Sequence, residues 1–384
     1  MDTATESPLA TMARTTPTQY WNDSCSVAEL EYAVANGAVG ATSNPTIVGE
    51  VLKNERDLWR PRIQAIGAAR PTATDVEIAW QVIEEMAVRG AAVLEPIFAR
   101  EGGRAGRLSI QTNPTFHRDA ERMLEQGRRF NELAPNMQVK FPATSAGLLA
   151  IDEATFLGIS INATVSFTVP QALAVGEVVE RALQRREAAG LDVSRMSPVC
   201  TLMVGRLDDW MKATCERDEI TMDPAAANWA GIAVFKRAAA IYRERGYRTR
   251  PLAAAYRHHL HWSELIGGDV SLTIPHAWQR RFNASAIEVR PRFDEPVPAV
   301  FVAELQARIP DFRRAFEPDG LSIEEFDTYG ATVRTLRGFI ASYWDLVQAV
   351  DDIILPNPDT RDRDPLASVR SDKVPWHQRL RPSI

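Results

Sequence analysis

Several function classes need features that this 384-residue chain has little of. It carries three cysteines, Cys25, Cys200 and Cys215, odd in number, far apart and without a CxxC pair. Neither a disulfide framework nor a zinc knuckle is suggested. No apolar run is long enough to span a bilayer, and the N-terminus lacks the apolar core of a signal peptide. A reduced, cytoplasmic setting is expected. Positive charge is not in excess: 44 Lys and Arg stand against 50 Asp and Glu, for a net charge of −6. Nucleic acid is therefore not expected as a partner, and nor is a membrane, although a local basic pocket for a small phosphate is not excluded. Histidine is scarce, with six in the chain. His258, His259 and His261 cluster, but the first two are adjacent and no matching carboxylate motif stands nearby. They read as helix-start or surface histidines, and no metal is expected.

The chain is 45% hydrophobic and 24% charged, which suits a globular protein with ample apolar content for a core. Residues 1–16 are rich in Thr, Ser and Ala and are expected to form a flexible arm. Strand-like and helix-like segments then alternate. The strands are expected at 19–23, 38–44, 107–112, 137–144, 159–164, 198–205, 249–257 and 270–274. Between them lie helical stretches at 114–129, 146–157, 170–189 and 224–245, and an extended helical region before residue 106. Ser26 to Glu29 and Thr74 to Glu77 read as capping boxes, and Gly37 as a helix stop. Eight strands separated mostly by helices predict a parallel sheet with helical crossovers. Over about 260 residues this suits a (β/α)8 TIM-type barrel with inserted helices, the alternative being a doubly wound open sheet. Residues 322–350 add an extra C-terminal helical segment, so that 17–350 read as one barrel domain. From residue 351 to 384 the chain is rich in Asp, Arg and Pro and is expected to be extended or mobile. No internal repeat is found.

Lys140 stands alone in an apolar strand-like run, Met137-Gln138-Val139-Lys140-Phe141-Pro142-Ala143-Thr144. Alternation puts Val139 and Phe141 on one face and Lys140 on the other. An isolated lysine there is ordinarily a strand-end or gatekeeper residue. A catalytic amine also needs this setting, because partial desolvation lowers its pKa and frees the nucleophile. Neighbouring strands favour the second reading. Ser109 and Gln111 share one face of their strand, Thr42 and Asn44 share another, and Ser160, Asn162 and Thr164 a third. Asp23 and Arg257 sit at further strand ends. In a barrel these polar faces converge on the interior mouth, where catalytic groups gather.

These residues also carry a resemblance to a known family. The chain resembles the transaldolases and their smaller relatives, the fructose-6-phosphate aldolases, from about Trp21 to Phe282 plus a terminal helix. Gly40-Ala41-Thr42-Ser43-Asn44-Pro45-Thr46 is similar to the family's Thr-(Thr/Ser)-Asn-Pro signature. Val139 to Thr144, followed by Gly147, is similar to the Schiff-base lysine motif. Gly158-Ile159-Ser160-Ile161-Asn162-Ala163-Thr164 is similar to the Gly-Ile-Asn-x-Asn-x-Thr strand. Val204-Gly205-Arg206-Leu207-Asp208-Asp209-Trp210 and Ala255-Tyr256-Arg257 resemble the segments bearing two phosphate arginines.

The resemblance implies a (β/α)8 barrel enzyme of carbohydrate metabolism, of pentose phosphate pathway type, that moves a dihydroxyacetone unit between sugar phosphates. No cofactor is implied beyond a covalent Schiff base of the substrate on Lys140. Asp23 is implied as general base and acid, Gln111 and Thr164 as groups acting on a catalytic water. Asn44, Asn162 and Thr201 are implied to bind the donor, and Arg206 and Arg257 the acceptor phosphate. The partners implied are small-molecule sugar phosphates. The chain departs from the family at Gln111, where transaldolases usually carry glutamate and the fructose-6-phosphate aldolases glutamine. It also departs at Met203, Thr201 and Ala255, the last two standing where serines are usual. Free aldol cleavage without transfer, or a catalytically reduced sugar-phosphate-binding relative, are the alternatives.

Overall fold

The structure, a computed structural model, describes residues 6–356 and 358. Eight parallel strands close into a barrel in chain order: β1 (Gln19–Asn22), β2 (Gly40–Thr42), β3 (Arg107–Gln111), β4 (Met137–Pro142), β5 (Ile161–Ser166), β6 (Val199–Leu202), β7 (Arg250–Ala253) and β8 (Ser271–Ile274). β1 pairs with both β2 and β8, which seals the seam. This is the (β/α)8 arrangement expected from the alternation of segments. The strands are buried on both faces for a physical reason. Their outer residues, such as Leu108, Ile110, Val139, Phe141, Ile161 and Ala163, pack in the main core with the surrounding helices. Their inner residues fill the barrel. Low in the interior, Trp21, Val199, Leu252 and Ala254 form a separate apolar layer. Above it the inward positions turn polar.

The helices begin and end where local chemistry directs. Thr74 and Glu77 form a reciprocal capping box at the start of Asp75–Arg100, whereas at Ser26 only the side chain capping the Glu29 N–H is present. Gly37 adopts a φ of +95°, the left-handed conformation that ends a helix at low steric cost. Three helices, Pro45–Asn54, Arg56–Ala69 and Asp75–Arg100, form the insertion between β2 and β3. A 25-residue helix, Gly330–Ile354, packs against the segments that follow β2, β3 and β6, so it lies over the C-terminal mouth. Among the described residues no helix is long and apolar enough to cross a membrane.

Several boundaries differ from expectation. The stretch 6–16 is not a loose arm. Pro8–Thr15 is helical, Ser7 caps it, and Leu9 and Met12 are buried. Two apolar residues one turn apart suffice here, because Trp262 donates its indole N–H to the Met12 sulfur at 3.1 Å. That partner is distant in sequence and cannot be seen in the local composition. At the other end, residues 351–354 are the last turn of the C-terminal helix. Of the expected tail, residues 357 and 359–384 lie outside the described residues. The helix expected at 114–129 divides into a 3-10 turn, Pro114–Phe116, and a helix, Ala120–Asn131, with Asp119 capping the second. β6 stops at Leu202 and β7 at Ala253, earlier than expected.

The turn after β4 is tight. A Cβ at Gly147 would lie 1.8 Å from the Pro142 carbonyl oxygen, while Thr144 accepts the Gly147 N–H at 3.0 Å. Gly147→Ala is expected to cost about 2 kcal/mol or more by overpacking against backbone, read as a lower unfolding midpoint in urea. A midpoint within error of wild type would show that the turn can relax.

Candidate active site

Lys140 lies on β4 with only 4% of its surface exposed. The register places Gln111 of β3 beside it on one side and Asn162 of β5 on the other. Thr164 stands one pleat higher, paired in register with Pro142. Neighbouring strands are about 4.8 Å apart, so these side chains share one small interior space. Among the described residues the Lys140 ammonium donates only a long bond, 3.4 Å, to the Ser43 carbonyl. Burial pulls its pKa down to about 8, the Asp23 carboxylate pulls upward, and the Arg206 guanidinium again downward.

Asp23 follows β1 directly. Its Oδ1 accepts the Thr42 hydroxyl at 2.6 Å, and Thr42 also contacts the Thr273 hydroxyl at 2.6 Å. Burial raises the Asp23 pKa, opposed by Lys140, by the Thr42 hydrogen bond and by Arg206. The two groups are thus coupled in opposite senses. Each favours the charged form of the other, and burial disfavours both charges.

A second set of bonds braces the interior beneath them. Ser109 donates to Gln138 Oε1 in a short contact. Asn162 donates to Ser109 Oγ at 3.1 Å and accepts the Thr201 hydroxyl at 2.7 Å. The Asn162 carbonyl and one amide hydrogen are thereby engaged within the barrel, and Thr201 is held by it. Two buried polar atoms on the strands flanking Lys140, Gln111 Oε1 and Thr164 Oγ1, have no partner among the described residues. Beyond Thr164 the β5–β6 register slips, and Val165 takes a φ of +55°. A β-branched residue in that region is strained, and such strain gathers where a side chain must be re-aimed.

Three expected site residues lie past the ends of the observed strands. Asn44 is not free on a strand end: its Oδ1 caps the helix Pro45–Asn54 by accepting the Ile47 N–H at 3.1 Å. Arg206 is in the first turn of the helix Val204–Arg217, because Met203 ends the strand run as the residue before that helix. Its guanidinium lies 4.8 Å from the centroid of the Phe339 ring, on the C-terminal helix. Arg257 lies past the end of β7, in the connection to β8, and pairs with Asp209 through Nε at 2.9 Å and Nη2 at 2.7 Å. The two arginine segments touch closely. A Cβ at Gly205 would fall 1.8 Å from the Ala255 carbonyl, and Ala255 itself holds a φ of +69°.

Sequence reasoning overlooked Asp208, Asp209 and Phe339. The acidic pair is visible in the Val204–Trp210 motif, and its meaning appears only when His258 and His261 fold back onto it. Asp208 Oδ2 contacts Nε2 of both His258, at 3.1 Å, and His261, at 2.8 Å. Among the described residues these three make the one cluster of metal-type donors, while His259 is exposed. The donor arrangement suits hydrogen bonding better than a metal. His261 Nδ1 accepts the Arg257 backbone N–H at 3.1 Å, which leaves its proton on Nε2, where a metal would need the lone pair.

The coupling of Lys140 and Asp23 has a measurable consequence. Acylation or reductive methylation of Lys140 is expected to rise with pH through a midpoint near 8, well below that of an ordinary lysine. Asp23→Asn removes the group that favours the ammonium, so the midpoint is expected to fall further. A midpoint near 10.5 in wild type, read by peptide mass across pH, would contradict the burial argument.

Comparison with known proteins agrees with this geometry. The family described as Transaldolase/Fructose-6-phosphate aldolase matches residues 20–314. A protein named Transaldolase from Thermobifida fusca is 34% identical over 181 residues, covering 46% of this chain and 48% of that one. Transaldolase 2 of Streptomyces avermitilis is 29% identical over 262 residues, 62% of this chain and 69% of that one. Transaldolase of Thiobacillus denitrificans is 32% identical over 176 residues, 45% of this chain and 48% of that one. In these alignments the chain spans about half the length of the Thermobifida and Thiobacillus relatives. With the family matched across most of the closed barrel and its interior lysine, the chain belongs to the transaldolase/fructose-6-phosphate aldolase family.

Proposed function

We propose that the chain is a Schiff-base enzyme of transaldolase type, transferring a dihydroxyacetone unit between sugar phosphates. The observation that carries this reading is the setting of Lys140, a buried amine with its pKa drawn to about 8, coupled to a partly buried carboxylate. A structural lysine gains nothing from such a place, whereas a nucleophilic amine gains a reactive neutral fraction.

In this reading the neutral Lys140 amine attacks the ketose carbonyl to give a carbinolamine, which loses water to form an iminium. Asp23 then takes the proton from the hydroxyl on the carbon beyond the bond that breaks. That hydroxyl becomes the leaving aldehyde, and the bonding electrons pass into the iminium to give an enamine. The enamine adds to the carbonyl carbon of the acceptor aldehyde, Asp23 returns its proton to the new hydroxyl, and water releases the product from Lys140. The raised pKa of Asp23 fits a group that both accepts and donates. Asn162, Thr201 and the free amide hydrogens of Asn44 bind the donor hydroxyls. Thr164 and Gln111, whose buried oxygens lack partners among the described residues, hold the water of Schiff-base formation and release. Arg206 and Arg257 bind the phosphate through charge-assisted bonds. No cofactor takes part.

One observation favours a second outcome, aldol cleavage without transfer. Gln111 can orient a water but cannot remove its proton near neutral pH, and Met203, 7% exposed, brings no hydroxyl to the opposite side.

Borohydride reduction in the presence of fructose 6-phosphate is expected to leave a stable adduct on the Lys140 peptide. An unlabelled Lys140, under conditions that label a control transaldolase, would remove the mechanism. Asp23→Asn is expected to lower turnover about 10²- to 10⁴-fold while still permitting the adduct. Gln111→Glu is expected to raise the ratio of transferred to freely released product, measured with and without an aldehyde phosphate acceptor. An unchanged ratio would take Gln111 out of the explanation.

A further inference from the structure

Arg257 is held from two directions by adjacent carboxylates. Asp209 grips its guanidinium. Asp208 has no direct contact with it, yet lies at the head of a chain of bonds, buried at Gly231 and His261 and partly buried at its end, that reaches its backbone. Asp208 Oδ1 accepts the Gly231 N–H at 2.8 Å, in the first turn of the 16-residue helix Ala230–Arg245. That helix starts after Trp229 with no side-chain cap, so Asp208 satisfies one of its free N–H groups and meets the positive end of its dipole. Asp208 Oδ2 accepts His261 Nε2–H, and His261 Nδ1 accepts the Arg257 N–H. Asp208 and His261 are both 0% exposed. Burial pushes the Asp208 carboxyl up, but the bonds from His258 and His261 more than offset it, and its pKa stays below the ordinary value.

The direction of each bond is fixed. The Arg257 N–H can only donate, so Nδ1 accepts and Nε2 carries the hydrogen that Asp208 requires. Without the carboxylate the imidazole is free to take the other tautomer, which turns an N–H against an N–H. The segment that depends on this bond is short, strained at Ala255 and not held by strand pairing, since β7 has already ended.

We infer that Asp208 and His261 form a positioning relay that uses the start of the helix Ala230–Arg245 as an anchor and sets the backbone of Arg257 for binding a substrate phosphate. The inference rests on the proposed role of Arg257 as a phosphate ligand and adds residues that do not touch substrate themselves. Its consequence is specific. Losing the relay affects recognition of the phosphate and leaves the chemistry at Lys140 in place. The Asp209 pair persists but can rotate with the loosened segment.

Two substitutions at His261 separate the bonds. His261→Asn keeps an acceptor near the Nδ1 position, and His261→Gln keeps a donor near Nε2 but withdraws the acceptor from Arg257. With glyceraldehyde 3-phosphate as acceptor, His261→Gln is expected to raise KM about tenfold, the cost of one hydrogen bond, with kcat changed much less. With unphosphorylated glyceraldehyde, KM is expected to change little, and His261→Asn is expected to recover most of the phosphate-dependent loss. Equal losses for both aldehydes, or no recovery by His261→Asn in a protein that melts like wild type, would overturn the relay. Inorganic phosphate binding, followed by calorimetry, provides a readout independent of turnover. Tenfold weaker binding in His261→Gln supports the relay even if Lys140 forms no borohydride adduct, a result that would sink only the proposed function. Equal phosphate affinity in the two proteins, or none in wild type, would overturn the relay itself.

Discussion

The desolvation of one amine is the constraint on which the site depends. An ordinary lysine leaves about one molecule in three thousand neutral at pH 7, whereas a pKa of about 8 leaves roughly one in ten. The barrel creates this difference by geometry. Eight short strands leave an interior too narrow for bulk water, and β4 directs Lys140 into it. A buried ammonium without a compensating charge would destabilise the fold. Asp23 provides that compensation, and in doing so becomes the carboxylate nearest in kind to the chemistry. Stability and reactivity are therefore set by the same pair.

The rest of the interior keeps this pair apart from competing partners. Thr42 and Thr273 fix Asp23 from the side, so it does not collapse onto the lysine. The bonds among Ser109, Gln138, Asn162 and Thr201 hold these side chains in a fixed array beside the amine. At the mouth, the two guanidiniums are treated differently. Arg206 stacks on Phe339, with no carboxylate hydrogen-bonded to it among the described residues, and Arg257 is held in an ion pair. In the proposed reaction, a phosphate would meet one cation stabilised by an aromatic face and one already paired with Asp209.

Most of the barrel was legible in the sequence, because parallel strands buried on both faces leave apolar runs and helices leave caps. Lys140, Gln111, Asn162 and Thr164 could be placed from parity alone, since alternation along a strand is rigid. Arg206, Arg257 and Asn44 could not. Each lies just past a strand end, where the chain turns and parity ceases to apply. The Pro8–Thr15 helix was hidden for another reason. Its burial depends on Trp262 and Asn283, and local composition carries no record of such partners. The relay through Asp208 and His261 was hidden in the same way, by a sequence separation of 53.

The N-terminal helix has a bearing on how the molecule is made. The Leu9 N–H bonds Asn283 at a separation of 274 residues, and Met12 meets Trp262 at 250. During synthesis the helix emerges well before these partners, which leave the ribosome only when nearly the whole barrel has been translated. It cannot dock until then, and its docking follows the arrival of β8 beside β1. The Pro8–Thr15 helix thus acts as a latch that waits for its catch, and translation must pass the final strand, β8, before this helix can seat.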